Sequence, residues 1–197
     1  MTKAPPKKTR NKRFDGYGMV VLAALLLWIG GKYDYKPQDA HHQIILSTPT
    51  KETEGNAPFD KTVVLVVQHF KRGAMGLILN RKSPDGDYMI GGPVDKDKVF
   101  ALHSLDVKFP ETVPMDEIFT GILEGAKAVS ELEHADKKPA WYRIYHGYVG
   151  WGRYQLDREM TDGQWEIVEF DPKFFTDTPA DKMWDAGKRL PIISRTH

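Results

Sequence analysis

The distribution of apolar residues divides the chain into one uncharged run near its start and a longer region of short, alternating segments. Residues 16–31 (GYGMVVLAALLLWIGG) carry no charged side chain. At about 1.5 Å per helical residue the run spans roughly 24 Å, a little less than the roughly 30 Å hydrocarbon core of a bilayer. The pattern predicts a transmembrane signal anchor over residues 16–32. Its face for packing against other membrane helices consists of Leu22, Leu25, Leu26 and Ile29.

Charged residues on the two sides of this run predict its orientation. Six Lys and Arg residues and a single acid, Asp15, precede it, whereas the few basic residues just after it are balanced by acids. The positive-inside rule places residues 1–15 in the cytoplasm as a basic tail and the rest in the periplasm, or in the equivalent space of an organelle. The predicted localisation is therefore the inner membrane, with a single pass. A cleaved signal peptide and a buried core helix stay open as alternatives, although the sequence at the end of the run, WIGGKYDYKP, is a poor cleavage site.

Beyond a polar linker over residues 33–42, the pattern predicts a domain of strands and helices over residues 43–197. Short β-branched and apolar runs predict strands at 43–48, 62–70, 74–80, 99–104, 140–148 and 165–170. Apolar stripes at helical spacing predict helices at 115–134 and 153–160, and a third that begins with Thr178 as N-cap and Pro179 at its first position. Strands come first and helices are interspersed late, which favours an α+β fold over a doubly wound parallel sheet.

Charge and composition exclude several classes of function. Residues 32–197 hold 22 Lys and Arg against 26 Asp and Glu, a net charge of −4. The predicted domain therefore lacks the excess of positive charge that is typical of nucleic-acid-binding domains. The chain has no cysteine, which excludes thiol nucleophiles, thiolate metal sites and disulfides. We therefore predict no nucleic-acid partner.

The histidines and glycines each allow a chemical and a structural interpretation. His103, Ser104 and Asp106 resemble hydrolase residues, but neighbours on a strand point to opposite faces and cannot pair as nucleophile and base. His41 and His42, or His69 with His103 and His146, could hold a metal ion, yet none has the spacing of a helical metal site, and histidines at strand ends are the favoured interpretation. The glycines favour turns and close packing over a phosphate nest. We predict no catalytic residue, metal or cofactor.

A set of linked motifs resembles the YqgE/AlgH family. They are Gly73 to Arg81 (GAMGLILNR), IGGPV at 90–94, FALHS at 100–104, GYVGWGRYQL at 147–156, and the closing DTPADKMWDAGKRL. The resemblance covers roughly residues 43–190 and implies a bent, branching, antiparallel-rich sheet that forms a pseudo-barrel flanked by helices, here preceded by one transmembrane helix. It implies little chemistry, because members are described as regulators without a clear DNA-binding motif. This chain departs from the family in its basic tail and anchor and in Gln68, where an acid is common.

Polar and aromatic groups within these motifs are the candidates for a ligand or partner site. They are Asn80, Arg81, Gly92, Pro93, His103, Tyr148, Trp151 and Gln155. A bent sheet could gather them in a concave site in which Arg81 binds an anion. The alternative interpretation is architectural, with Trp151 in the core, Asn80 holding a turn and Gln155 capping backbone groups.

The function predicted from these observations is a noncatalytic binding or accessory module, a subunit of a larger inner-membrane assembly with a membrane-protein partner. One alternative is a regulatory domain that senses a small-molecule ligand through a pocket near Arg81. A further alternative is an enzyme with an unrecognised active site.

Overall fold

A computed structural model describes residues 39–49, 59–115, 120–169 and 171–193. The predicted basic tail, the predicted span with its four packing residues, and the linker up to residue 38 lie outside these residues.

Nine strands are present in the described part of the chain: β1 (Ile44–Ser47), β2 (Val63–Phe70), β3 (Gly73–Ile78), β4 (Met89–Ile90), β5 (Val94–Ser104), β6 (Val113–Pro114), β7 (Thr120–Glu124), β8 (Tyr142–Trp151) and β9 (Trp165–Val168). The α-helices are α1 (Ala126–His134), α2 (Gln155–Thr161), α3 (Pro172–Asp177) and α4 (Met183–Gly187), with a 3₁₀ turn at Ala180–Lys182 before the last.

The strands form one curled sheet in the order β6-β7-β5-β8-β3-β2-β1-β9. Its pairs are antiparallel except that between β4 and β8, which is parallel. The sheet branches at β8, whose first part pairs with β5, whose last residues pair with β3, and whose middle also pairs with β4. An α+β fold with a bent, branching, antiparallel-rich sheet is thus confirmed.

The curled sheet buries apolar side chains on both faces. The enclosed face carries the largest core cluster, in which Leu65, Leu77, Phe100 and Tyr145 pack with Met183 of α4. On the outer face, α2 covers β3 and β9, and α1 covers β5 and β7 in separate clusters. Alternate residues of β1 and β2 enter different clusters, which explains why these strands are continuous apolar runs rather than alternating ones.

Two predicted helices differ from the structure. The stripe over 115–134 is interrupted, because Thr120–Glu124 forms strand β7 and, of the residues described in this stretch, only Ala126–His134 are helical. Gly125, with φ of +100°, separates the two elements in a conformation that a continuous helix cannot adopt. Thr178 ends α3, which Asp171 caps by accepting a hydrogen bond from the Lys173 amide, so Thr178 is not an N-cap.

The described residues also bear on the predicted localisation. None of their helices has both the length and the apolar character needed to cross a membrane. This finding contradicts the single-pass inner-membrane localisation with a periplasmic domain, and we correct that prediction here.

Candidate functional site

Asn80 and Arg81, which follow β3, both bind the segment that leads into β2. The side chain of Asn80 is 8% exposed; its Oδ1 accepts a hydrogen bond from the Val63 amide (3.1 Å), and its Nδ2 donates to the Lys61 carbonyl (2.8 Å). Nη2 of Arg81 donates to the Asp60 carbonyl and to Thr62 Oγ1 (3.2 Å), and Nη1 donates to the Lys61 carbonyl at 3.5 Å. Burial lowers the pKa of Arg81, while the Asp60 carboxylate opposes that shift. Both side chains therefore hold two parts of the backbone together.

Gly92 and Tyr148 meet at the branch of the sheet. A Cβ atom on Gly92 would lie 2.1 Å from the carbonyl carbon of Tyr148, so only glycine fits there. Pro93 beside it is exposed. The Tyr148 ring packs edge-on against Phe100, with Lys98 Nζ 5.6 Å from its centroid. This contact region positions β4 and β5 on β8.

His103 lies apart from the other candidates and is fully buried. Its Nδ1 is 2.8 Å from the Ser104 carbonyl and its Nε2 is 2.9 Å from Thr112 Oγ1. Because a carbonyl can only accept, Nδ1 carries the proton, and Nε2 of the neutral ring accepts from Thr112. Burial lowers the pKa of His103. The ring fastens the 105–112 connection to β5, and Ser104 instead hydrogen-bonds to Asp106.

Trp151 and Gln155 meet at a third residue that the sequence analysis did not identify. Oε2 of Glu159 accepts hydrogen bonds from the indole N–H groups of Trp151 and Trp165, both at 2.8 Å, and Oε1 accepts one from Gln155 Nε2 at 2.8 Å. The i, i+4 spacing of Gln155 and Glu159 was visible in the sequence, but the two indole donors come from different strands. The cluster joins α2 to β8 and β9.

The structure thus brings the candidates together in pairs rather than in one pocket: Asn80 with Arg81, Gly92 with Tyr148, and Trp151 with Gln155. His103 is separate. The described contacts of Asn80, Arg81, Trp151 and Gln155 are intramolecular hydrogen bonds. A binding role for these residues stays a prediction.

A buried histidine and aspartate form a further polar pair that the sequence analysis missed. His69 Nε2 lies 3.3 Å from Asp157 Oδ1, and the two side chains are 5% and 2% exposed. The Ala40 amide donates to His69 Nδ1 at 3.1 Å, so in the neutral ring the proton is on Nε2, facing Asp157. This pair links β2, the segment before β1, and α2.

Two surface cavities of the described residues include none of the eight candidates. The first has a volume of about 300 Å³ and lies between α1 and β8, where the tilted rings of Tyr88 and His146 have their centroids 4.2 Å apart. The second has a volume of about 230 Å³ and lies between β2 and the β6–β7 pair. We call the second cavity the Phe70 groove. Its apolar lining consists of Val67, Phe70, Val113, Met115 and Ile122, and its polar lining of His41, His42, Gln68, Glu111 and Glu124.

Phe70 and Val113 are unusual among the groove residues because their large apolar side chains face solvent. Phe70 is 60% exposed and Val113 is 58% exposed. Exposed apolar side chains that share one concave surface mark interaction sites in soluble domains. The sequence correctly predicted that Phe70 lies at the end of a strand. It gave no sign that β6 would lie opposite Phe70 across a groove.

Comparisons with known proteins relate the chain to one family. The chain is 29% identical over 177 residues to the UPF0301 protein BAV3012 of Bordetella avium, covering 80% of this chain and 87% of that protein. It is 30% identical over 175 residues to a UPF0301 protein of Pseudomonas syringae pv. tomato, covering 78% and 89%.

Two solved structures have a similar fold. The solution structure of the AlgH protein from Pseudomonas aeruginosa matches with a TM-score of 0.62 at 24% identity, covering 80% of this chain and 92% of that one. The crystal structure of protein DIP2367 from Corynebacterium diphtheriae matches with a TM-score of 0.62 at 18% identity, covering 80% and 90%. The family model described as AlgH-like (DUF179) matches residues 44–191, and the chain therefore belongs to the AlgH-like family.

Proposed function

We propose that the domain is a noncatalytic protein-binding module, and that the Phe70 groove takes an extended segment of a partner protein. The segment carries an apolar side chain next to a Lys or Arg. The observation that carries this proposal is the joint exposure of Phe70 and Val113 on one cavity.

The apolar lining supplies the expected driving force. A phenylalanine side chain has about 200 Å² of surface, so covering the exposed 60% of Phe70 removes roughly 120 Å² from water. At about 25 cal/mol per Å² this corresponds to an upper value of about 3 kcal/mol. Such a contribution is typical of an aromatic hot spot in an interface.

The charges of the groove support a basic partner. Glu111 and Glu124 are both exposed, and Lys98 pairs with Glu124 at 2.6 Å. One carboxylate is therefore left without an ion pair among the described residues. A Lys or Arg beside the apolar residue of the partner would complement Glu111 and improve selectivity more than affinity.

The contacts of the motif residues support a noncatalytic role. Ser104 is bound to Asp106 and lies on the face of β5 opposite His103, so the two do not form a nucleophile and base. The Arg81 guanidinium has three acceptors from residues 60–62 and has little capacity left for an anion. The net charge of −4 over residues 32–197 is in keeping with a partner other than nucleic acid.

A selection of random displayed peptides on the immobilised full chain tests this proposal. We expect enriched peptides to combine an aromatic or aliphatic residue with Lys or Arg. Phe70→Ala and Val113→Ala should weaken binding of a labelled selected peptide at least tenfold in fluorescence anisotropy, and Glu111→Lys should weaken basic peptides specifically.

Ile192→Ala is the matched control, because Ile192 is 57% exposed but does not line the groove. It should change the dissociation constant less than twofold. Selected peptides that bind Phe70→Ala as tightly as the original chain would overturn the proposal.

A further inference from the structure

Trp141, the residue before β8, and the alternate β8 residues Arg143 and Tyr145 lie on the enclosed face of the sheet. Trp141 packs against the main core cluster, Tyr145 is a fully buried member of it, and Arg143 lies between them on the same face. Leu102 of β5, which is fully buried, is the cross-strand neighbour of Arg143. The Arg143 side chain is half-buried, so one end of this row remains accessible to solvent.

Two buried polar atoms of this row lack a hydrogen-bond partner on any other element of the described residues. Tyr145 Oη and Arg143 Nη1 have no partner of ordinary length and angle among the described residues. Burial raises the pKa of Tyr145 to about 12, although the charge of the neighbouring Arg143 guanidinium and its hydrogen-bonding contact with the phenol oppose the shift. The phenol is thus neutral at physiological pH and can donate its proton in a hydrogen bond. The phenol and Nη1 of the guanidinium thus lie beside each other, and no other residue in the described part of the chain offers them an acceptor.

The charge of Arg143 also has no ion-pair partner within the part of the chain that the structure describes. No Asp or Glu of the described residues forms an ion pair with it, whereas Lys98 and Lys188 each have a glutamate partner. Arg81, the other half-buried arginine discussed above, has three oxygen acceptors. An unpaired, partly desolvated guanidinium is costly, and buried polar groups without a partner call for an explanation.

We propose that Arg143 and Tyr145 form a binding site for an oxyanion, the carboxylate or phosphate group of a small ligand. The planar guanidinium fork pairs with two oxygens of such a group, and the phenol supplies a further donor. The apolar surroundings exclude water and strengthen these charge-assisted hydrogen bonds. The site shares no residue with the Phe70 groove, so it does not depend on the function proposed above.

Thermal unfolding and calorimetric titration of the full chain with sodium phosphate, sodium acetate and sodium chloride, at matched ionic strength, test this inference. We expect phosphate or acetate, and not chloride, to raise the melting temperature in a saturable way. The arm that responds identifies which oxyanion the site prefers. Arg143→Met, which keeps the apolar stem, should raise the apparent dissociation constant at least tenfold. Tyr145→Phe should raise it severalfold while leaving the protein folded.

Arg153→Met is the matched control, because Arg153 is exposed and stacks on Tyr154 outside this row. It should leave oxyanion binding unchanged. Arg143→Lys distinguishes loss of the site from loss of the fold, since it retains the charge without the fork and should bind with intermediate affinity. The inference is overturned if neither phosphate nor acetate shows saturable binding, or if Arg143→Met and Arg153→Met bind them as the original chain does.

Discussion

The Glu159 carboxylate is the polar centre of the contact between α2 and the sheet, and its removal should be costly. Both indoles that donate to it belong to buried residues: Trp151 is 7% exposed and Trp165 is 5% exposed. The two rings pack edge-on, with centroids 5.9 Å apart, so neither can turn to find another acceptor without disturbing the other. Glu159→Ala leaves both indole N–H groups without their acceptor.

The magnitude follows from the three hydrogen bonds. A buried donor that loses its acceptor costs roughly 1–3 kcal/mol. Glu159 itself is partly exposed, so water can replace some of the lost contact, and we expect Glu159→Ala to lower the free energy of unfolding by about 2–4 kcal/mol. In Glu159→Gln the oxygen can still accept from both indoles, but the new amide faces the Gln155 amide donor, and we expect a loss of about 1–2 kcal/mol.

Urea denaturation of the full chain, followed by circular dichroism and tryptophan fluorescence, measures these losses. Glu131→Ala is the control, because Glu131 forms only an exposed i, i+4 pair with Lys127 and should cost under about 0.5 kcal/mol. If Glu159→Ala costs no more than Glu131→Ala, the carboxylate does not hold the indoles and the interpretation of the cluster is wrong.

Three further substitutions test the architecture of the motif residues. Arg81→Ala should lower the free energy of unfolding by about 1–3 kcal/mol, because it leaves the acceptors of residues 60–62 unpaired, whereas exposed Lys82→Ala should change it by under about 0.5 kcal/mol in the same urea titration. Gly92→Ala should lower the free energy of unfolding by over about 3 kcal/mol or prevent folding, because its Cβ atom would lie 2.1 Å from the backbone of Tyr148. Gly150→Ala is the control: the nearest atom to its Cβ would be 3.5 Å away, so its melting temperature should stay close to that of the original chain. Because the pKa of His103 is lowered in the folded state, the unfolded chain binds a proton more readily than the folded chain, and His103 should reduce the free energy of unfolding as the pH falls below about 6.5. His103→Gln should therefore flatten the dependence of this free energy on pH between about pH 7.5 and 5.5. An unchanged slope would contradict this prediction.

The strands that the sequence predicted are those with enough residues to show a pattern. β1, β2, β3, β5, β8 and β9 each contain β-branched or aromatic residues in runs bounded by turns, and the structure confirms these six predicted strands, although β5 begins earlier than predicted, at Val94. β4 and β6 have two residues each, which is too short for any periodicity to appear. β4 forms by pairing with β8, and β6 forms by pairing with β7. These pairings depend on the tertiary structure and cannot be seen in the local sequence.

The error over 115–134 has a specific physical cause. Ile122 and Leu123 fit the helical stripe that continues through Val129 and Leu132, yet in β7 they enter two different core clusters on opposite faces. Gly121 and Gly125 were the local signals against a continuous helix. Gly121 is required by a close approach, because a Cβ there would lie 2.5 Å from the Thr112 methyl group. A glycine at such a contact cannot be distinguished in the sequence from one that a helix tolerates.

The candidate site shows the same limit at the level of chemistry. The sequence indicates which side chains can bind an anion, but whether they are free to do so depends on residues far along the chain. Arg81 and Arg143 were equally basic in the sequence. Arg81 donates to carbonyls about twenty residues away, whereas the buried Nη1 of Arg143 has no hydrogen-bond partner of ordinary geometry among the described residues.

What separates the two arginines as candidates for a binding site is therefore whether their N–H groups are free to bind a ligand, and not whether they belong to a motif. Arg81 lies in the stretch that carried the family resemblance, and its hydrogen bonds account for its presence there without any ligand. Arg143 lies in a strand that the sequence predicted, but the prediction of a strand does not say which of its faces is enclosed. Once the sheet curls, Tyr145 and Arg143 turn inward, and Oη and Nη1 are removed from water without gaining an acceptor from any other described residue. A buried donor without an acceptor lowers the stability of the fold, so its presence calls for an explanation; the oxyanion proposed for Arg143 and Tyr145 supplies one, whereas the motif residue Arg81 needs none.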